Sequence, residues 1–185
     1  MQPKDEDELA DMLWTSLQIE GPAFIRYPRG SAMGVEAKEK PALLEIGKAE
    51  VIRPGTNVQI WAMGPWVAKA KTIAENLENE TGVSIGVVNA RFAKPLDREL
   101  LSAQSAQAIH FVTMEEHAVT GGFGTALSET LGELGSNQPV LRIGYPDQFV
   151  EHGSSGDAVR AMVGLDMDSV TSRVREAIRQ PAFAG

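Results

Sequence analysis

The stretch "GKAEVIRPGTNVQIWAMGPWVAKAKTIAENLENETGVSIGVVNA", residues 47–90, decides the fold. Two short apolar runs, separated only by "PGTN", are followed by a segment with helical periodicity and then by a third apolar run, 83–90. Pro65 stands near the start of the helical segment and Gly82 just past its end, where these residues are favoured. The segment's apolar face comprises Val67, Ala70, Ile73, Ala74 and Leu77. A link as short as "PGTN" predicts a hairpin, so the first strand should run antiparallel to the others.

The chain after residue 90 continues the alternation of helices and strands. Apolar runs at 108–114 and 139–145 are typical of buried strands. The segments with helical periodicity are 95–107, 124–135, 156–164 and 167–179. Strands that alternate with helices from residue 46 onward predict an α/β sandwich built on a mostly parallel sheet.

The chain before residue 46 is organised differently. Residues 3–18 have apolar positions at helical spacing, with acids crowded into the first turn. Residues 23–27 are predicted to form a short strand that ends at Pro28. Residues 31–45 show no clear period and contain Gly and Pro, which is typical of a linker.

Composition excludes several classes of function. The chain has 185 residues, a formal net charge of −8 and a pI near 4.9, so it lacks the basic excess that binding to nucleic acid requires. It contains no cysteine, which removes disulfides and cysteine-ligated metal sites and fits a cytoplasmic protein. No apolar stretch approaches the ~20 residues of a membrane span.

The segment "TMEEHAVTGGFGT", residues 113–125, has the layout of a site but allows two interpretations. A glycine-rich turn between a strand and a helix can bind phosphate at the helix N-terminus. Alternatively, its glycines allow a helix to approach the sheet closely. The spacing is neither that of a dinucleotide fingerprint nor that of a P-loop. The histidines His110, His117 and His152 show no metal-binding spacing.

Two further segments carry polar side chains that could bind a ligand, without a strong motif of their own. In "IRYPRG", Pro28 stiffens the chain between Arg26 and Arg29, so the Arg29 guanidinium leaves the sheet end in a fixed direction and could bind a phosphate monoester. An ordinary surface ion pair explains Arg29 equally well. In "VVNARFAKPLD", 87–97, helix initiation and an interface salt bridge account for Asn89, Arg91, Lys94, Pro95 and Asp97.

Six motifs in one order resemble a known family. The motifs are "PKDEDEL", "GPAFIRYPRG", "IGKAEVIRPG", "VVNARFAKPLD", "TMEEHAVTGGFG" and "YPDQFVEHG". In this order they resemble the 1-deoxy-D-xylulose-5-phosphate synthases, which are transketolase-type thiamine-diphosphate enzymes. The resemblance runs from about residue 2 to residue 166.

The resemblance implies a domain organisation. The family has three domains, of which the first binds the cofactor diphosphate through magnesium and the second binds the aminopyrimidine ring. The third is a three-layer α/β/α domain with a five-stranded mixed, mostly parallel sheet whose first strand is antiparallel, and residues 46–185 resemble it. Residues 1–30 then correspond to the tail of the pyrimidine-binding domain, joined by the linker 31–45. Apolar residues of that tail are expected to lack partners, namely Leu9, Met12, Leu13, Trp14 and Phe24.

The resemblance also implies roles for residues. The resemblance implies that Arg29, the arginine of "YPRG", binds the phosphate group of glyceraldehyde 3-phosphate, with Arg26 as a weaker second candidate. No catalytic, cofactor-binding or metal-binding residue is expected in this segment, which should be inactive alone. The full-length protein is expected to be a cytoplasmic homodimer that binds thiamine diphosphate and magnesium and uses pyruvate as a substrate. No nucleic acid or membrane partner is expected. The resemblance implies that residues 113–125 belong to the structural scaffold and the dimer interface of the third domain.

Two other interpretations stay open at this point. The chain could be a non-catalytic module that dimerises or docks onto a partner. It could also be a subunit of another transketolase-type enzyme.

Overall fold

A five-stranded mixed sheet forms the centre of the structure, a computed structural model that describes residues 1–30 and 32–179. The strands are β1 (Glu50–Arg53), β2 (Val58–Ala62), β3 (Ile85–Asn89), β4 (His110–Ala118) and β5 (Val140–Tyr145). Their spatial order is β1-β3-β2-β4-β5, with β1 antiparallel to β3 and the other neighbouring pairs parallel. The predicted sheet, including its antiparallel first strand, is confirmed.

Helices cover both faces of this sheet. The helices are α1 (Glu6–Ser16), α2 (Trp66–Thr81), α3 (Arg98–Ser105), α4 (Phe123–Glu133), α5 (Gly156–Met162) and α6 (Met167–Arg179). One buried cluster packs α2 and α6 onto the sheet, and a second packs α3 and α4 onto the opposite face. The three-layer α/β/α architecture follows. Within the described ranges, no helix is both long and apolar enough to cross a membrane.

The predicted hairpin between the first two strands is wrong, although the predicted direction of β1 is right. β3 lies between β1 and β2, so the turn 54–57 carries the chain across the start of β3. Gly55 makes this crossing possible, because a Cβ there would overlap the backbone of Ile85 and Gly86. Arg53 Nη1 also donates to the Ile85 carbonyl. A short link therefore does not require that the strands it joins be neighbours.

The predicted strand at residues 23–27 is also absent. The segment is extended, and the N-terminal residue supplies two backbone bonds to it: Arg26 N donates to Met1 O (2.9 Å) and the Met1 ammonium donates to Phe24 O (2.8 Å). One neighbouring residue cannot form the continuous ladder that defines a strand. The helix predicted before it is confirmed as α1, with Asp5 as its N-cap.

The described part of the predicted linker, residues 32–45, has no helix or strand, and polar groups of α1 bind it along its length. Glu6 accepts hydrogen bonds from the backbone of residues 33–35, and Thr15 Oγ1 accepts from Leu44 N. Between these points, Lys38 Nζ pairs with Asp7 and Asp11. The linker therefore lies against one side of α1.

The expectation of unpartnered apolar residues on α1 holds only in part. Leu13 and Trp14 are 51% and 44% exposed, and Phe24 beyond the helix is 83% exposed. Met12, in contrast, is fully buried, so that part of the expectation is wrong. α1 thus has one face packed within the chain and one apolar face open to solvent.

Candidate functional site

A buried carboxylate fastens α1 to the end of β3. Glu8 is 1% exposed, and its two oxygens accept hydrogen bonds from Asn89 Nδ2 (2.8 and 3.0 Å), Arg91 Nε (2.7 Å) and Lys4 N (2.8 Å). Arg91 also pairs with Glu50 (2.9 Å), as does Lys4 (3.0 Å). The salt bridge expected for the "VVNARFAKPLD" segment therefore exists, and it fixes the segment that precedes the "YPRG" loop.

The second expectation for that segment, helix initiation, is confirmed for Asp97 but not for Pro95, which lies before α3. Asp97 is the N-cap of α3, and its Oδ1 accepts from Leu100 N (3.0 Å). Lys94 is exposed and does not join the Glu8 network.

Glu50 makes the stability of this junction pH-dependent. Burial alone would raise the pKa of Glu50, but the hydrogen bond from Lys4 and the charge of Arg91 lower the pKa below its ordinary value of 4.5. A carboxylate whose pKa is lowered by folding stabilises the fold above its unfolded pKa, and this contribution is lost as pH falls through the folded pKa. We therefore expect the free energies of unfolding of wild type and Glu50→Gln to differ at neutral pH and to converge below about pH 4.5. Urea unfolding across this range measures the difference; a gap that does not change with pH would contradict the role of the charge.

Arg29 lines a cavity of about 320 Å³ at the junction. Residues from the start of α1, from the "YPRG" loop and from α5 surround it, among them Lys4, Tyr27 and Arg160. Arg29 is exposed, and its guanidinium makes no hydrogen bond or ion pair with the part of the chain that the structure describes. Among the described residues, Arg29 therefore has no surface ion pair of the kind that could have explained it. The five N–H donors of the Arg29 guanidinium are available to a ligand.

Arg26 lies at a different cavity. That cavity measures about 700 Å³ and is bordered by Phe24, Met63, His117 and Phe123 as well as by Arg26. Arg26 Nη2 donates to the Glu116 carbonyl (2.5 Å). The structure therefore does not bring the two arginines of "IRYPRG" to one cavity, although Tyr27 between them borders both.

The glycine-rich loop 113–125 is filled by a side chain of its own segment. Glu115 is 2% exposed, and its oxygens accept from Phe123 N (2.7 Å) and Gly124 N (2.8 Å) at the start of α4. Burial raises the pKa of Glu115, and these two hydrogen bonds oppose the rise. An internal carboxylate thus occupies the place where a phosphate would bind to the helix N-terminus.

The glycines at the start of α4 allow this helix to pack closely against the sheet, which is the second interpretation offered for residues 113–125. A Cβ on Gly122 would overlap the Glu115 carboxylate, and one on Gly124 would overlap Thr113 Oγ1 of β4. α4 can approach the sheet only because these positions lack side chains.

Two glycines of α4 test this explanation. Gly124→Ala should lower the free energy of unfolding by about 1–3 kcal/mol, the usual penalty for overpacking. Gly132→Ala, on the same helix, should raise it by about 0.5–1 kcal/mol, because a Cβ there meets nothing within 4 Å and alanine favours the helix. Urea unfolding of both variants gives the values; equal effects of the same sign would contradict the packing role of Gly124.

One ion pair at the site joins residues that sequence reasoning did not connect. Arg160 of α5 donates from Nη2 (2.5 Å) and Nε (3.0 Å) to Glu116 Oε1 of β4. In the sequence, Glu116 lies in the segment 113–125 and Arg160 in the helical segment 156–164. Their separation in the chain leaves no local pattern that could have revealed the pair.

The fold and the site together define the class of protein. The family model described as transketolase, C-terminal domain, matches residues 47–170, and the chain belongs to this family.

The particular relatives are 1-deoxy-D-xylulose-5-phosphate synthases, so the resemblance predicted from the six motifs is confirmed. The synthase of Methylacidiphilum infernorum is 44% identical over 181 residues, which is 98% of this chain and 28% of that protein. The synthase of Heliobacterium modesticaldum is 46% identical over 95% of this chain and 27% of that protein. The chain thus spans little more than a quarter of these relatives, in their C-terminal part.

Among solved structures, one described as "Split gene transketolase, inactive beta4 tetramer" is similar over 95% of this chain and 55% of that chain. Its TM-score is 0.79 and its sequence identity 33%. The similarity includes the region before residue 46 as well as the C-terminal domain.

Proposed function

We propose that this chain is the C-terminal part of a thiamine-diphosphate-dependent transketolase-type enzyme, a 1-deoxy-D-xylulose-5-phosphate synthase. Such an enzyme condenses pyruvate with glyceraldehyde 3-phosphate and releases CO2, and its product leads to isoprenoid precursors, thiamine and pyridoxal. The observation that carries the proposal is the 44% identity over 98% of the chain to a synthase of that name. We further propose that the full-length enzyme is a cytoplasmic homodimer to which this segment contributes scaffold and interface.

Within this proposal, Arg29 binds the phosphate of glyceraldehyde 3-phosphate. Its free guanidinium at the 320 Å³ cavity supports this role. A planar guanidinium can donate two parallel hydrogen bonds to phosphate oxygens. Arg26 is the weaker second candidate, because its guanidinium already donates to the Glu116 carbonyl and borders the other cavity.

The start of α4 supplies an argument against cofactor binding by this chain. The glycine-rich start of α4 is the element that could have bound a diphosphate, and the Glu115 carboxylate fills it. We therefore propose that thiamine diphosphate and magnesium are held by other parts of the full-length enzyme. Calorimetric titration of the chain with thiamine diphosphate and Mg²⁺ should give no saturable heat, and micromolar binding would contradict this part of the proposal.

A chimera tests the proposed function directly. The matching C-terminal segment of the Methylacidiphilum infernorum synthase would be replaced by this chain, and product formation from pyruvate and glyceraldehyde 3-phosphate would be measured. We expect the chimera to be active, because this chain is 44% identical to the segment that it replaces. A folded chimera of native oligomeric state without activity would count against the proposal.

The split-gene relative favours a second candidate function, that of a separate subunit. A protein so described is similar over 95% of this chain. The open apolar face of α1, with Leu13, Trp14 and Leu17 exposed by 44–74%, offers a surface that another chain could cover. Under this alternative, the chain gains activity only when it is mixed with a separate polypeptide that carries the cofactor site. Under the first proposal, the active form is the chimera.

A further inference from the structure

The cavity of Arg29 has three cationic and two acidic side chains in its wall. These are Lys4, Arg29, Arg160, Asp5 and Glu6. Both acids are engaged elsewhere: Asp5 caps α1 by accepting from Glu8 N, and Glu6 accepts from the backbone of the linker. Lys4 is held by Glu8 and Glu50. The two bonds use two of the three N–H groups of Lys4, so Arg29 and Arg160 are the cations with the most donors available to a ligand in this cavity.

Arg160 is held firmly on one side and loosely on the other. Glu116, which receives its Nε and Nη2, has a side chain that is only 10% exposed. Asp157, which receives its Nη1 (2.9 Å), has a side chain that is 91% exposed. Exposed ion pairs contribute little to stability, so a ligand can displace Asp157. The three bonds use three of the five guanidinium N–H groups, and two stay available.

We propose that Arg160 is a second phosphate-binding residue of the Arg29 cavity and that Glu116 is the positioning residue that orients it. A phosphate monoester carries nearly two negative charges at neutral pH, which two guanidinium groups match. Arg160 thus takes the place that the resemblance implies for Arg26, which borders the other cavity. Glu116 also accepts from Arg26 through its carbonyl, so one residue contacts both Arg160 of α5 and the first arginine of "IRYPRG". This inference rests on the proposed phosphate-binding function of the cavity.

The test is an NMR titration of the ¹⁵N-labelled chain, with the arginine Nε–H signals as reporters. Glycerol 3-phosphate is the probe and glycerol the phosphate-free control. We expect the Arg29 and Arg160 signals to shift saturably with the probe and not with glycerol. Arg160→Ala should weaken the Kd reported by Arg29 about tenfold, as expected for loss of one charged hydrogen-bond partner. Arg160→Lys should restore part of the affinity, because it keeps the charge without the fork.

Glu116→Gln distinguishes positioning from direct binding, and Arg175→Ala is the matched control. Glu116→Gln should weaken the Kd severalfold while Arg160 is still present, because Arg160 loses the carboxylate that orients it. Arg175 pairs with Glu80 on α6 and α2 in a similar way and lies outside the wall of the cavity, so its loss should leave the Kd unchanged. If Arg29→Ala abolishes binding while Arg160→Ala and Arg160→Lys do not change it, this inference is overturned and the proposed function stands. If Arg29→Ala also leaves binding unchanged, the phosphate assignment of the proposed function fails as well.

Discussion

Replacing Glu8 with alanine is expected to lower the free energy of unfolding by about 3 kcal/mol, at the low end of the range for breaking a buried ion pair. The variant leaves Arg91 and Asn89 without the carboxylate that both contact, in a place where water cannot replace it fully. The low end applies because Arg91 keeps Glu50 and its side chain stays 19% exposed. Urea unfolding of the 185-residue chain measures the change.

Glu133→Ala is the matched control for this prediction. Glu133 also pairs with an arginine, Arg98, but both side chains are more than half exposed. Such a pair contributes about 0–1 kcal/mol. Glu8→Gln adds a second comparison, since it keeps the shape and removes the charge. A loss no larger for Glu8→Ala than for Glu133→Ala would show that the network around Glu8 does not hold α1 to the sheet.

Replacing Arg29 with alanine in the active chimera is expected to raise KM for glyceraldehyde 3-phosphate about ten- to hundredfold. Loss of a charged hydrogen-bond partner weakens binding by about 1.5–3 kcal/mol, which corresponds to that factor. Pyruvate carries no phosphate, so its KM should change little. Arg29→Lys should restore only part of the affinity, because lysine offers a point charge without a planar fork.

Steady-state kinetics with each substrate varied in turn measures this effect. Arg98→Ala, which removes an exposed arginine on α3, should leave both KM values unchanged. An equal rise for both substrates after Arg29→Ala would point to a general disturbance of the loop. No rise at all would make Arg29 an ordinary surface residue.

Local patterns in the sequence were sufficient for most of the fold. Continuous apolar runs predicted β2 and β3, and the 3.6-residue period of apolar positions predicted α2, each within a few residues. The caps are also local, since Asp97 and Gly82 act on backbone groups three or four residues away. The predicted helix over residues 3–18 became α1 for the same reason.

The family resemblance predicted more about the role of Arg29 than its residue type and position alone could. Chemistry left Arg29 equally suited to a phosphate and to a surface ion pair, and the order of six motifs favoured the phosphate. The relatives support the family of the chain, but the role of Arg29 stays a prediction that the chimera must test.

The sequence by itself determined the strands and helices after residue 46 and the direction of the first strand; only the tertiary structure decided which elements and side chains meet, including the burial of Met12. The chain's own pattern could not place β3 between β1 and β2, because strand pairing depends on how the α2 crossover returns the chain. Nor could it join Glu8 to Arg91, or Glu116 to Arg160, because such contacts depend on distances between segments far apart in the chain. Periodicity reports which side of an element faces inward, whereas the partner it meets there is a property of the folded chain.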